Sequence, residues 1–375
     1  GHGGSMKQVF LDGEGQVRVE DATEPQAQPG FVVVRNAHSL VSRGTEARAV
    51  AAASEGLFAK LRKNPGLARE MAGAVLREGP KAVIGKLQES KEKRQPLGYS
   101  CAGEVTAVGE GVSDLKPGDR VACGGVGYAC HAEMVAVPRN LAARVPPGLP
   151  QEEAAFTTLG AIGLHALRQG KVQVGERAVV VGLGLVGQVL TRLLIASGAF
   201  VFGAARKGEA VERARRAGGD GALLGDPGLA DAVTRWSGGA GADALFLCTS
   251  GGGSDLLTLA GGLLRPRGRL VVVGNVEWDL QRAGLFAREI EVVGARGYGP
   301  GRYDPLYEEG GVDYPFTHVR WTANRNMEAF LDLLARGRVD VKPLVTDRFP
   351  LERAAEAYRR LGQPGVVGVL LDYPK

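Results

Sequence analysis

The sequence predicts an α/β protein in which a β-rich unit precedes a doubly wound parallel sheet. Three observations carry that expectation. Residues 7–41 and 97–145 read as short strands broken by Gly, Pro and Asp turns. From 178 to about 295, strand and helix signals alternate, the rhythm of a parallel sheet covered on both faces. At the head of that alternation stands AVVVGLGLVG (178–187), a β-branched run, a glycine turn and then helical spacing.

Taken in order, residues 1–5 (GHGGS) read as a cloning remnant before Met6 and stay outside the fold argument. Alternation at 31–35 predicts a half-buried antiparallel strand, and a small polar cluster, SRGTE (42–46), closes it. Residues 47–94 are rich in Ala, Leu, Lys, Arg and Glu and are broken at Asn64-Pro65-Gly66 and Gly79-Pro80. They read as three amphipathic helices inserted in the β-rich unit. Strands resume with LGYSCAGEVTAVGEGV from Leu97, and DLKPGDRV (114–121) turns into the next one. HAEMVAVP and LAARVP complete this unit. Residues 151–169 predict one helix, with Glu152 and Glu153 in the first turn, where the helix dipole favours acids. After the parallel alternation, 298–307 form an aromatic, glycine-rich loop, 325–336 and LERAAEAYRRL predict helices, and GVVGVLLDYP predicts a last strand.

Composition is that of a globular chain of two domains. The net charge of +5 is spread among acids, as in 206–216, which speaks against a nucleic-acid surface. No apolar run approaches the ~20 residues that span a bilayer, and no signal peptide is apparent. Cys101, Cys123, Cys130 and Cys248 show no disulfide spacing, so a reducing cytoplasm is the expected setting.

The glycine turn is a dinucleotide-binding fingerprint. Gly182 makes the tight turn, Gly184 admits a pyrophosphate and Gly187 lets helix and strand pack closely. The N–H groups of Leu185 and Val186 open the helix toward the phosphates. The next strand, AFVFGA (199–204), ends in Ala205-Arg206-Lys207, about 20 residues on, where an NAD site carries a carboxylate for the ribose. A guanidinium and an ammonium suit a 2′-phosphate instead, so NADP(H) is the expected cofactor. Cys248, Thr249, Gly274 and Asn275 fall at strand C-termini, where nucleotides lie in open α/β sheets; Cys248 is expected there as a cofactor-side thiol.

GYSCAGEV (98–105), Val108-Gly109, KPGDRV (116–121) and the fingerprint, in that order, resemble the medium-chain dehydrogenase/reductase superfamily over nearly the whole chain from Met6. The resemblance implies a GroES-like β-rich catalytic domain plus a Rossmann doubly wound parallel-sheet domain, with the active site in the cleft between them. The expected layout is 6–152 for the catalytic domain, with the helical insertion at about 47–94. Residues 153–299 form the NADP-binding domain, and 300–375 return to the catalytic domain. SRGTE (42–46), PLGYS (96–100), HAE (131–133), YGPGRYDP (298–305) and VRWTANRNME (319–328) are similar to the dehydrogenase half of bacterial two-part oxidoreductases of sugar and polysaccharide pathways. Bacteriochlorophyllide dehydrogenases share a similar start. The chain is read as ending without the second half.

Zinc-dependent members of that superfamily hold a metal with a Cys, the His of a GHE segment and a further Cys or Glu. At the matching places this chain has Arg43 (or Ser42), Tyr99 and residues 156–158, which supply no thiolate or imidazole, so no metal is expected. Hydride transfer to a carbonyl then needs hydroxyls and a cation to stabilise the developing oxyanion and deliver a proton. Thr45 matches the family's proton-relay hydroxyl, Tyr99 replaces the metal-binding His, and Arg43 is the cation; these are the candidate catalytic residues. Tyr99 as a packing wall and Arg43 as a surface charge are the alternatives. Tyr298, Arg302 and Tyr303 are the candidate substrate contacts, suited to a polyhydroxylated ligand. His131 is read as a hydrogen-bonded strand histidine.

The expected activity is zinc-independent, NADP(H)-dependent interconversion of a secondary alcohol and a ketone on a sugar- or cyclitol-like molecule, by a homodimer with small-molecule partners only. Two alternatives stay open: metal-free enoyl or quinone C=C reduction, and a catalytically silent NADPH-binding module.

Overall fold

A computed structural model describes residues 4–44, 65–78, 94–250, 253–276 and 284–375. Of the expected insertion, the described part is one helix, α1 (Pro65–Glu78), which begins and ends at the two predicted breaks; the other two expected helices lie outside the described residues.

Before the insertion come β1 (Ser5–Leu11), β2 (Val17–Thr23) and β3 (Phe31–Val41). After it come β4 (Gln95–Pro96), β5 (Ser100–Val108), β6 (Arg120–Gly124), β7 (Met134–Pro138) and β8 (Ala142–Arg144). The strand β3 is the hub. The expected half-buried alternation at 31–35 is not what it shows: Val32, Val33 and Val34 are all buried, as are Ser39, Leu40 and Val41, because β3 is covered on both faces, and it pairs antiparallel with β5 on one edge. Its other edge is divided between β7 near its start and the last strand of the chain near its end. Such divided pairing needs a long strand, which the apolar run FVVVRNAHSLV supplies. A three-stranded sheet, β2-β1-β4, packs beside it.

The predicted single helix at 151–169 is two: α2 (Gln151–Ala154) and α3 (Thr157–Gln169). The break has a local cause. The Ser100 hydroxyl donates to the Ala155 carbonyl at 2.6 Å and accepts from the Thr158 N–H at 3.3 Å, satisfying backbone groups that a continuous helix would pair internally.

The parallel sheet follows as β9 (Arg177–Val181), α4 (Leu185–Ala196), β10 (Phe200–Ala205), α5 (Gly208–Arg216), β11 (Asp220–Leu223), α6 (Leu229–Trp236), β12 (Ala242–Leu247), α7 (Gly253–Leu263), β13 (Leu264–Val272) and β14 (Glu291–Gly294). Its order is β11-β10-β9-β12-β13-β14, all parallel. The order reverses between β9 and β12, so the crevice at their C-terminal ends is the place where a nucleotide fits. Each central strand is fully buried, as Val179, Val180 and Val181 show, hence the continuous β-branched run rather than alternation.

The tail supplies α8 (Pro305–Glu308), α9 (Ala323–Ala335), β15 (Val345–Pro350), α10 (Ala354–Arg360) and β16 (Gly368–Asp372). The strand β16 pairs with β3 and β15 with β16, so the C-terminus returns to the antiparallel sheet. The helix α3 ties the two sheets together, packing on α4 and α9. A Cβ added at Gly160 would lie 2.0 Å from the Phe330 ring, so the small residue is what lets α9 close on α3.

Candidate active site

The C-terminal end of β9 builds the first half of the site. Gly182 has φ +93°, and a Cβ there would sit 2.7 Å from the Thr249 backbone nitrogen. Only glycine satisfies both the left-handed backbone and the close approach of the β12 end. A Cβ on Gly187 would lie 1.9 Å from the Gly182 carbonyl oxygen, so the helix rests directly on the turn. At Gly184 the space is open, with nothing within 4 Å of an added Cβ. Gly184 is also the N-cap of α4 and gives it no side-chain cap, and the helical ladder starts with the Gln188 N–H on the Gly184 carbonyl at 2.9 Å. The N–H groups of Leu185, Val186 and Gly187 therefore have no intrahelical acceptor and face that open space. An uncapped helix start over an open glycine turn fits a pyrophosphate.

Thr249 and Gly274 close the crevice floor, since a Cβ on Gly274 would meet the Thr249 carbonyl at 1.9 Å. Burial pushes the Cys248 thiol up to about 12, so it stays protonated and unreactive at neutral pH. Asn275 is exposed just beyond. Arg206 and Lys207 are exposed at the end of β10 and make no ion pair among the described residues.

The second half comes from the antiparallel sheet. Gly98 turns the chain at φ +105° against the His131 backbone, where a Cβ would lie 2.4 Å from the His131 nitrogen, and so presents Tyr99 at the base of β5. Tyr99 is buried, and its hydroxyl meets the Ser42 hydroxyl at 2.6 Å. The Thr158 hydroxyl of α3 donates to the Tyr99 carbonyl at 2.9 Å, and the Gly125 N–H donates to the same oxygen at 3.1 Å. The backbone at Tyr99 is thus held from two sides, by α3 and by the turn after β6. Arg43, next to Ser42, is exposed; Thr45 lies outside the described residues.

Tyr298 comes from the loop after β14 and lies close to the same sheet edge. A Cβ on Gly124 would lie 2.9 Å from Thr158 Oγ1 and 3.5 Å from the Tyr298 ring. Burial pushes its phenol above the ordinary tyrosine range. The Asn326 amide donates to the Tyr298 carbonyl at 2.8 Å and accepts from Arg168 Nε at 3.0 Å, which fixes the loop on α3 and α9. Arg168 in turn stacks 3.5 Å from the Trp321 ring centre. Burial and the nearby Arg320 push its guanidinium down to about 10, still charged at neutral pH.

Arg302 does not present a free fork to a ligand, contrary to the expectation from sequence. Its side chain is 6% exposed and its Nη1 donates to Glu308 at 2.5 Å, while Glu308 also accepts from the Tyr303 N–H at 2.7 Å. The pair ties the loop to α8, because a guanidinium desolvated this far needs its counter-ion. The exposed group is Tyr303, at 48% exposure and φ +71°, with Arg302 at 4.2 Å on one side and the exposed Arg296 at 3.9 Å from its ring centre. Sequence reading missed Arg296 and Glu308. The position of Arg296, just past the end of β14, was the available signal.

His131 is buried, with Nδ1 2.6 Å from the Ser39 hydroxyl, which also meets the Tyr373 hydroxyl at 2.8 Å. It is held inside the sheet, as the sequence reading had it. Cys101 and Cys123, scattered in sequence, face each other across β5 and β6, and a thiol contact from Cys123 plus burial push Cys101 up. Among the described residues no three His, Cys, Asp or Glu side chains gather as a metal-holding group. At the places the motif alignment assigns to zinc ligands stand Arg43 (or Ser42), Tyr99 and residues 156–158, with the Ser42 and Tyr99 hydroxyls bonded to each other. That donor set does not fit zinc.

Comparison with known proteins agrees with this fold. A family model for an alcohol dehydrogenase GroES-like domain matches residues 80–147, and one described as a zinc-binding dehydrogenase matches 186–312. The chain is 27% identical over 307 residues to sorbitol dehydrogenase of Bacillus subtilis (strain 168), covering 72% of this chain and 78% of that protein. It is 23% identical over 307 residues to 2-dehydro-3-deoxy-L-galactonate 5-dehydrogenase of Pseudoalteromonas atlantica (strain T6c / ATCC BAA-1087), covering 74% and 82%. An alcohol dehydrogenase of Thermus sp. ATN1 has a similar fold, with a TM-score of 0.75 at 22% identity over 98% of this chain and 100% of that one.

Proposed function

Because the chain belongs to the medium-chain dehydrogenase/reductase superfamily, we propose that it is an NADP(H)-dependent, zinc-independent oxidoreductase that interconverts a secondary alcohol and a ketone on a polar, sugar- or cyclitol-like molecule. The observation that carries this reading is the buried Ser42–Tyr99 hydroxyl pair at the place of the metal ligands. The relatives' names, with sorbitol and a deoxygalactonate as substrates, favour a polyhydroxylated ligand. The domain division we propose is 6–152, 153–299 and a return over 300–375. The strand β14, at the sheet edge, is the element we assign to homodimer contact, and the free thiols suit a cytoplasmic setting.

In this proposal the start of α4 holds the pyrophosphate, and Arg206 with Lys207 pairs with the 2′-phosphate. A reduced nicotinamide bound there supplies the hydride. The Tyr99 hydroxyl donates a hydrogen bond to the substrate oxygen, stabilises the charge that develops on it and passes over a proton, which the Ser42 hydroxyl replaces. Thr45 extends the relay, Arg43 neutralises an anionic substrate or the nicotinamide-side phosphate, and Tyr298, Tyr303 and Arg296 face the substrate.

The same hydroxyl pair would also stabilise the enolate oxygen formed in enone reduction, which keeps C=C reduction as the second reading. NADPH oxidation against keto-sugars, ketocyclitols and simple ketones beside 2-enones and quinones, with products identified by mass and NMR, separates the two. Turnover on ketones alone supports the proposal; turnover on enones alone replaces it with the second reading. NADPH binding without any turnover would mean a silent binding module.

A further inference from the structure

A cleft of about 390 Å³ lies between the C-terminal halves of α4 and α5 and the segment 337–343 that leads from α9 to β15. Four guanidiniums line it: Arg192, Arg213, Arg216 and Arg338, with Asp340 as the acidic member and Ile195 among the apolar ones. None of the four makes a salt bridge among the described residues. Elsewhere the chain pairs arginines closely, as in Arg139–Asp114 at 2.5 Å, Arg269–Glu176 at 2.5 Å and Arg302–Glu308 at 2.5 Å. Four like charges around one concavity repel each other unless an anion sits among them.

Two of the four are also aimed. Arg192 is 8% exposed; its Nε donates to the Asp340 carbonyl at 3.0 Å and its Nη1 to the Gln188 carbonyl and amide oxygens at 3.1 and 3.0 Å. Its Nη2 has no acceptor among the described residues and is not sealed from solvent. Arg213 uses one nitrogen on the Gly365 carbonyl at 2.6 Å, and Arg216 and Arg338 are exposed. The Asp340 carboxylate accepts from the Lys342 N–H at 3.0 Å. Backbone and amide acceptors thus orient two guanidiniums and leave donors over. Forked donors of this kind match phosphate oxygens better than a point charge does.

We propose that this cleft binds a phosphorylated small molecule, at a site separate from the dinucleotide crevice. Arg192 stands seven residues, or about 10 Å, down α4 from the glycine turn, and Arg216 about 13 Å down α5 from Lys207. The volume suits a sugar phosphate or a nucleotide fragment. Because its walls come from the parallel-sheet helices and from the chain running back to the antiparallel sheet, the bound anion fastens the two together and stabilises the folded protein.

The test is calorimetric titration of the full chain with inorganic pyrophosphate and with ribose 5-phosphate at about 0.15 M salt, with sulfate and ribose as controls. With NADPH present to fill the dinucleotide crevice, saturable binding is expected, weakened roughly tenfold or more by Arg216→Ala with Arg338→Ala. Single Arg216→Gln and Arg338→Gln variants, both at exposed positions, should each give a smaller loss. Unchanged binding in the Arg216/Arg338 variants overturns the proposal, as does disappearance of the binding once NADPH fills the crevice. So does a response to sulfate that matches pyrophosphate, which would mean diffuse charge rather than a site. Neither readout depends on turnover, so failure here leaves the proposed oxidoreductase activity standing, and the reverse holds too.

Discussion

Tyr99 and Ser42 share one short hydroxyl contact in a buried place, and removing either oxygen breaks that contact. Tyr99→Phe keeps the ring and its packing, so the protein should fold while kcat for carbonyl reduction falls by about 10²-fold or more with KM little changed. Ser42→Ala should give a smaller loss, since the phenol remains. Steady-state kinetics on the best ketone substrate checks both, and a loss confined to KM would mean Tyr99 only packs. At the other end of the site, Arg206 and Lys207 are exposed, so their double replacement by Ala touches no core. NADPH binding should weaken by at least about tenfold while NADH binding is spared, read by fluorescence titration; equal loss for both would sink the NADP assignment.

The unit formed by β9, the glycine turn and α4 depends on contact distances that side chains cannot meet. Gly187→Ala places a methyl 1.9 Å from the Gly182 carbonyl oxygen, so helix and turn must separate. A cost of about 1–3 kcal/mol in unfolding free energy is expected, together with weaker cofactor binding, because the helix start no longer faces the phosphates. Urea denaturation and a dinucleotide titration read the two effects separately. The loop after β14 behaves differently, since the buried Arg302–Glu308 pair organises it. Glu308→Gln leaves a guanidinium desolvated without its counter-ion, and about 3–5 kcal/mol of stability should be lost. If melting is unchanged and only KM rises, Arg302 faces the substrate after all.

Across the whole molecule, ionic contacts stitch sheet edges, and acid weakens them. Burial alone would raise the Asp243 carboxyl, but the Arg177 N–H at 2.8 Å and the Arg265 guanidinium at 2.6 Å hold it below its ordinary 3.8. With the folded value depressed, the unfolded chain binds more protons in that range, so this contribution is complete above the unfolded value near 3.8. It is lost as pH falls through the lower folded value. Melting temperature should therefore drop steeply below about pH 4, and Asp243→Asn should shrink that drop while lowering stability at neutral pH.

The sequence by itself determined the parallel sheet and its nucleotide crevice. Those features rest on local chemistry: a β-branched run buried on both faces, glycines at fixed offsets and a helix start without a cap. Motif alignment alone also put Tyr99 forward at the place of a metal ligand. The tertiary structure decided what depends on distant partners. Ser42 meets Tyr99 across 57 positions, Cys101 meets Cys123 across a strand pair, and the 151–169 helix breaks because Ser100 reaches its backbone. Arg302, put forward as a ligand contact, pairs with Glu308 six positions on, a partner that nothing in its sequence neighbourhood announced. The arginine cleft was invisible for the same reason. Its members come from three segments between 192 and 340, each unremarkable alone, and only packing collects their charge in one place.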